Sequence, residues 1–176
     1  MASNPEQLSL DKGQKPGDIL LFLHPKGTSL LISWLTKSPY YHVAICDDIY
    51  HVIEARPRGV VRRDLRTKEG GHSFVVIPTG TTSGPDALHW AEGKIGGKYD
   101  SWDLVVILFD RIFTHLHINY KPTNNEFTCG SFVAKAFEEV GAPLLPGIKT
   151  NDVIPADFAR FVPKTELDHP KIAQNK

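Results

Sequence analysis

The order of strand-like and helix-like segments constrains the fold of this chain most. Five short runs rich in β-branched and aromatic residues come early, at 18–23, 41–46, 50–55, 59–63 and 73–78. Apolar residues at helical spacing mark segments at 28–35, 85–95, 102–113, 129–140 and 154–161. Strands that precede most of the helices favour an α+β fold, in which a small antiparallel sheet of about five strands packs against helices.

The chain has 176 residues, enough for a single domain with a hydrophobic core, which we place at residues 16–162. The polar ends, residues 1–15 and 163–176, are expected to be flexible tails. We find neither a signal peptide nor an apolar run long enough to span a membrane, so we expect a cytoplasmic protein, or one exported by a signal-independent secretion system. Acidic and basic residues balance at 20 each, and no nucleic-acid reader motif is present, so we predict no nucleic-acid partner.

Cys129 stands where a helix is expected to begin. Thr128 precedes it as an N-cap, an apolar stripe follows it, and Gly141 with Pro143 supplies a stop. A thiol in the first turn of a helix faces unpaired backbone N–H groups and the positive end of the helix dipole, and both favour the thiolate. The spacing leaves two interpretations open, a nucleophile or a small buried hydrophobic residue.

A cysteine nucleophile needs a base within hydrogen-bonding reach and a third group that orients the base. His42 lies in an apolar strand, which would hold its ring in a fixed orientation, as a general base requires. Glu54 also lies in an apolar strand, where a buried carboxylate is costly unless it is paired.

The hairpin between these two strands decides whether His42 and Glu54 can meet, because strand side chains alternate between faces. A three-residue loop at 47–49, or an equivalent bulge, would place His42 directly opposite Glu54. A two-residue turn would instead turn Glu54 away and leave His51 as the orienting group. We predict the three-residue loop or bulge, with the His42 face toward the cysteine helix and the other face, which would carry Tyr41, mostly in the core.

Cys46 shares its predicted face with His42, and we interpret it as a core thiol, with a regulatory bridge to Cys129 as the alternative. A metal site is not expected, because the chain has no Cys-x-x-Cys motif and the His-x-His at 115–117 is too sparse for zinc. We therefore predict neither a metal nor another cofactor.

A strongly basic segment follows Glu54. It carries six basic residues against the single acidic Asp64: Arg56, Arg58, Arg62, Arg63, Arg66 and Lys68. The charges can protect a strand at the edge of the sheet. Alternatively, the segment from Arg56 to Lys68 can capture an anionic group, such as a substrate carboxylate, a phosphate or an acidic membrane surface.

Five motifs in this order resemble the circularly permuted, papain-like branch of the NlpC cysteine peptidase superfamily, which includes YiiX-type and YebB-type hydrolases. The resemblance spans roughly residues 16 to 140. The motifs are Pro16–Ile19, Thr36 and Ser38 with Tyr41–Ala44, Val52–Ala55 with Gly59-Val60, Gly97–Asp100, and Cys129–Phe137.

The resemblance implies a permuted papain-like fold with Cys129 as nucleophile, His42 as general base and Glu54 as the orienting group. The implied activity is cleavage of amide bonds in a small peptide or acyl-amide substrate, through a thioester. Peptide or isopeptide bonds, such as those of bacterial cell-wall stem peptides, are the implied substrates. In the family, Ser often follows the cysteine where this chain has Gly130, a difference that concerns the pocket and the substrate.

Four further side chains are candidates for substrate binding: Tyr41, Tyr99, Arg56 and Arg58. For Tyr99 a buried aromatic with a satisfied hydroxyl is the alternative. Two other functions stay open. One is an acyltransferase or lipid hydrolase of the lecithin retinol acyltransferase type, although its usual nucleophile motif and membrane anchor are missing here. The other is a non-catalytic binding module that keeps the fold.

Overall fold

The computed structural model describes residues 10–23, 38–56, 59–67, 73–80, 82–96 and 127–162. It has an α+β architecture built on a five-stranded antiparallel sheet with the strand order β4-β3-β2-β1-β5. The strands are β1 Ile19–Leu23, β2 Tyr40–Cys46, β3 His51–Arg56, β4 Gly59–Asp64 and β5 Phe74–Ile77. All five strands predicted from the sequence are therefore present, with ends that differ by at most one residue.

Two α-helices are described, α1 Ser83–Glu92 and α2 Cys129–Glu139, followed by 3-10 helices at Thr150–Asp152 and Pro155–Phe161. The last of these replaces the α-helix expected at 154–161, with its proline in the first turn as predicted. The helices predicted at 28–35 and 102–113 lie outside the described residues. Within the described ranges, no helix is both long enough and apolar enough to cross a membrane.

The sheet has two apolar faces. On the helix face, Val43, Ile45 and Ile53 share a buried cluster with residues of α1 and α2. On the second face, Ala44 and Cys46 belong to a separate buried cluster with side chains of β1, β3 and β5. We expected α2 to cover the face that carries Ala44 and Cys46, and this was wrong: α2 packs on the opposite face. Alternation along a strand assigns residues to faces, but it does not say which face a helix covers.

The connection between β2 and β3 is longer than predicted. Cys46 pairs with Val52 and Ile45 with Ile53, so five residues separate the last paired positions instead of three. Asp48 organises this connection by accepting hydrogen bonds from the backbone N–H groups of Tyr50 (2.6 Å) and His51 (2.8 Å). Because three and five are both odd, His42 and Glu54 still lie on the same face of the sheet, as predicted, despite the different register.

A β-bulge interrupts β2 next to His42. Phe22 of β1 pairs with His42, but Leu23 pairs with Tyr40, so Tyr41 is an extra residue on β2. Tyr40 lies in the helix-face core, whereas Tyr41 packs against the second-face cluster. The prediction that Tyr41 faces the same way as Val43 was therefore wrong, because a bulge breaks the strict alternation of side chains.

Packing begins before the predicted domain boundary at residue 16. Leu10 and Gln14 are buried. The Gln14 side-chain amide donates hydrogen bonds to the carbonyl oxygens of Leu10 (2.8 Å) and Ile49 (3.3 Å). Residues 10–15 thus belong to the packed domain and not to a flexible tail, because their contacts bury both apolar and polar groups.

Candidate active site

A reciprocal cap fixes the start of α2 at Cys129. The Thr128 hydroxyl accepts a hydrogen bond from the Ser131 N–H (3.1 Å), and the Ser131 hydroxyl accepts one from the Thr128 N–H (2.8 Å). This arrangement is a capping box, and it satisfies two backbone donors that a helix start leaves unpaired. The predicted N-cap at Thr128 is confirmed.

The predicted stop of α2 is also confirmed. Gly141 has a φ of +73°, a left-handed conformation that glycine adopts without strain. Its N–H donates to the Glu138 carbonyl (3.0 Å), and the Ala142 N–H donates to the Phe137 carbonyl (2.9 Å). These two bonds form a Schellman motif.

Gly130 lets the start of α2 approach a neighbouring segment very closely. A Cβ atom on Gly130 would lie 2.3 Å from the Val153 carbonyl oxygen and 3.0 Å from Ile154 Cα. Only a residue without a side chain fits between α2 and the backbone at 153–154. The position of the Cys129 thiol is therefore set both by the cap and by this backbone-to-backbone contact.

His42 connects the thiol to the acid. Its Nε2 atom lies 2.8 Å from Oε2 of Glu54, and the Cys129 side chain is near enough to the imidazole to raise its pKa. Since Nε2 faces the carboxylate, Nδ1 is the ring nitrogen available to the thiol. Burial lowers the pKa of His42, but the charge of Glu54 and the charge and hydrogen bond of Cys129 outweigh it and raise the pKa to about 9.

Glu54 is fully buried and bound by two arginines as well as by His42. Arg63 donates two parallel hydrogen bonds, from Nε to Oε1 (2.6 Å) and from Nη2 to Oε2 (2.9 Å). Arg56 also forms an ion pair with Oε1 through its Nε. Burial alone would raise the pKa of Glu54, but the charge and hydrogen bond of His42, together with those of Arg63, hold it well below its usual range. The group is a carboxylate at all ordinary pH values.

The predicted pairing of His42 with Glu54 is present, although its geometry differs from the prediction. Continuing the register of Ile45 with Ile53 places Glu54 level with Ala44, two residues from His42. The two side chains thus meet diagonally across β2 and β3 rather than directly opposite each other. Diagonal neighbours are within reach of long side chains such as glutamate and histidine.

The thiol itself is nearly covered, since Cys129 is only 2% exposed. Its helix packs on the helix face, whereas His42 belongs with Glu54 on the second face. The bulge at Tyr41 lies next to His42 in β2, and Cys129 of α2 acts on the His42 pKa from the start of its helix. The three residues predicted to act together therefore converge from α2, β2 and β3.

The other candidates for substrate binding are only partly described. Tyr41 is half-buried next to His42, with ring centroids 6.3 Å apart, and burial raises its pKa to about 12 in a field set by Arg63, Glu54 and Arg56. Arg56 is 32% exposed and is held by Glu54. Tyr99 and Arg58 lie outside the described residues.

The described arginines of the basic segment are engaged in ion pairs within the protein. Arg62 pairs with Asp47 and Asp48, and Arg66 pairs with Asp64 (2.7 Å). Arg56 and Arg63 bind Glu54, as given above. β4 is an edge strand, so these contacts fit the interpretation that the charges protect the sheet edge. They leave the capture of an anion by this segment as a prediction.

The second cysteine is a core thiol. Cys46 is buried and free, and its Sγ donates a hydrogen bond to the Asp48 carbonyl (3.3 Å). Burial, together with the charges of Asp18, Asp48 and Asp47, raises its pKa to about 12. Cys129 is free as well, so the two do not form a bridge here. Among the residues that the structure describes, no group of His, Cys, Asp and Glu is arranged to hold a metal ion.

Sequence reasoning missed the role of Arg63, which it grouped with the surface charges of the basic segment. The predicted strands at 50–55 and 59–63 leave three residues, 56–58, between them, and a three-residue connection would have put Arg63 on the face opposite Glu54. A two-residue connection pairs Arg56 with Gly59, the register observed, and places Arg63 on the face of Glu54.

A scan of known protein families finds no family model that matches this chain, and a search of curated proteins finds no significant match. Arguments about function therefore start from the geometry of Cys129, His42 and Glu54.

Proposed function

We propose that this protein is a cysteine hydrolase that cleaves amide bonds, with Cys129 as nucleophile, His42 as general base and acid, and Glu54 as the orienting group. The convergence of these three side chains carries the proposal. A thiol at a capped helix start, an imidazole within its electrostatic reach and a buried carboxylate on one ring nitrogen of that imidazole are the parts that a cysteine nucleophile needs.

The raised pKa of His42, about 9, supports this assignment. At neutral pH the imidazole carries a proton, so it can accompany a Cys129 thiolate as an ion pair. The thiolate attacks the carbonyl carbon of the amide, and the backbone N–H of Cys129, in the first turn of α2, can donate to the oxyanion that forms.

Proton transfer completes the two half-reactions. His42 gives its proton to the leaving amine as the C–N bond breaks, and Cys129 keeps the acyl group as a thioester. The neutral imidazole then takes a proton from water, which attacks the thioester. The C–S bond breaks, the carboxylic acid leaves, and the Cys129 thiolate with protonated His42 restores the starting state.

The chain order, with histidine before cysteine, fits the permuted papain-like arrangement that the sequence motifs resemble. We propose that fold for the whole domain, and peptide or isopeptide amides, such as those of cell-wall stem peptides, as the substrate class.

The experiment is to incubate the protein and its Cys129→Ser variant with stem-peptide amides, N-acyl amides and phospholipid vesicles. Product release and intact-mass adducts on Cys129 are both measured. Amide cleavage that depends on Cys129 supports the proposal. Acyl adducts from phospholipid without amide cleavage would replace it with the acyltransferase function, and neither turnover nor adducts would leave a binding module.

A further inference from the structure

Arg63 is built into the site more deeply than its place on an edge strand suggests. Its side chain is 7% exposed, and its guanidinium lies over the Phe22 ring, 5.1 Å from the ring centroid. The same guanidinium donates a hydrogen bond to each oxygen of Glu54. Phe22 pairs with His42 on the adjacent strand. The guanidinium, the carboxylate and the imidazole therefore form one row across the sheet, of which the first two are buried.

The positive charge paired with Glu54 exceeds the single negative charge of its carboxylate. Arg63 from β4 and Arg56 from β3 both pair with it, even before His42 takes a proton. The other titratable groups at this site are Tyr41 from β2 and Cys129 from α2. Water screens Arg56, which is 32% exposed, so the buried Arg63 acts on the carboxylate more strongly.

We propose that Arg63 is a positioning residue that holds the Glu54 carboxylate in place and offsets its negative charge at His42. This inference rests on the proposed function. An unopposed buried carboxylate would bind the imidazolium proton very tightly, but His42 must also become neutral to activate water in the second half-reaction. Arg63 lets Glu54 orient the imidazole without trapping its proton.

A purely stabilising role fits the structure less well. Within the described part of the chain, Nη1 of Arg63 is buried and makes no hydrogen bond. A buried donor without a partner costs stability, and apolar side chains often replace buried ion pairs with no loss. An arginine at this position therefore stabilises the fold less than an apolar side chain would, unless its charge has a further role.

The titration of His42 tests the proposal directly. The imidazoles are labelled with carbon-13, the His42 signal is assigned with His42→Gln, and its midpoint is followed by NMR in wild type, Arg63→Gln and Arg63→Lys. Arg62→Gln is the matched control, since Arg62 precedes Arg63 on β4, is 46% exposed and pairs with Asp47 and Asp48 instead of Glu54.

We expect Arg63→Gln to raise the His42 midpoint by about 1 pH unit or more, because a cation near Glu54 is lost. Arg63→Lys keeps the charge, so its midpoint stays near that of wild type. It loses the two parallel bonds, however, so alkylation of Cys129 should slow. Arg62→Gln should change neither quantity.

A His42 midpoint that falls in Arg63→Gln would overturn the proposal, since loosened packing moves an imidazole toward its ordinary pKa. An unchanged midpoint would overturn it too. If Arg63→Gln fails to fold, an Arg63→Lys midpoint displaced from that of wild type refutes the charge role by itself. Failure of the proposed function gives a different result. If Cys129 does not pair with His42, Cys129→Ser will leave the His42 midpoint at its wild-type value.

Discussion

Replacing Gly130 by alanine tests whether the close approach behind α2 positions the thiol. The new methyl group would lie 2.3 Å from the Val153 carbonyl oxygen, whereas ordinary contacts of this kind begin at 3.4 Å. The neighbouring atoms belong to the backbone, so no side chain can rotate away. The start of α2 must therefore move by roughly 1 Å.

The size of this movement sets the expected effects. Overpacking of a buried contact costs about 1–3 kcal/mol, and the higher helix propensity of alanine returns about 1 kcal/mol of that. The net loss of unfolding free energy is thus small. A displacement of about 1 Å between reacting groups, in contrast, can cost about 100-fold in rate. Gly130→Ala should harm reactivity much more than stability.

The assay compares Cys129 alkylation by iodoacetamide, located by peptide mass spectrometry, with urea unfolding. Gly93→Ala is the matched control, because Gly93 also lies at a helix end with ordinary φ and its added Cβ would meet its nearest neighbour at 3.4 Å. Unchanged alkylation in Gly130→Ala would show that the contact with Val153 does not position the thiol. An equal loss in Gly93→Ala would show that the effect is not specific.

Three further predictions concern the pairing at the site. Glu54→Gln leaves buried arginine charge uncompensated, so urea unfolding should show a loss of about 3–5 kcal/mol. The folded-state pKa of His42 is raised to about 9 from an ordinary 6.5. The contribution of His42 to the free energy of unfolding is therefore complete below pH 6.5 and is lost as the pH rises through 9. The pH dependence of urea unfolding should therefore show a decline worth about 3 kcal/mol over this window, and His42→Gln should remove it. Cys46→Ala should leave the pH profile of Cys129 alkylation unchanged, because Cys46 is a separate core thiol; a changed profile would link the two thiols.

The strands and the cysteine helix follow from local patterns. Runs of β-formers marked all five strands, and Thr128 with Gly141 marked both ends of α2, because caps and turns depend on residues close in sequence. Parity along β2 and β3 correctly placed His42 and Glu54 on one face. This held even though the loop length was wrong, since any odd number of loop residues gives the same result.

The layers and the fine geometry of the site depend on contacts distant in sequence. Val43 and Ala44 are both buried, so hydrophobicity could not show which face α2 covers. The bulge at Tyr41 depends on pairing with β1, and the need for glycine at 130 depends on the backbone at Val153. Local sequence contains no signal for either.

The pH dependence of Cys129 alkylation by iodoacetamide, in wild type and His42→Ala, tests the central claim most directly. Because the thiol is nearly covered, absolute rates also reflect access, so the shape of the profile between pH 4 and about 9 is the informative quantity. Because the pKa of His42 is raised to about 9, its imidazolium should keep Cys129 reactive into the acidic range, and His42→Ala should lose this reactivity. A wild-type profile that follows an ordinary thiol, or one that His42→Ala leaves unchanged, would contradict the account.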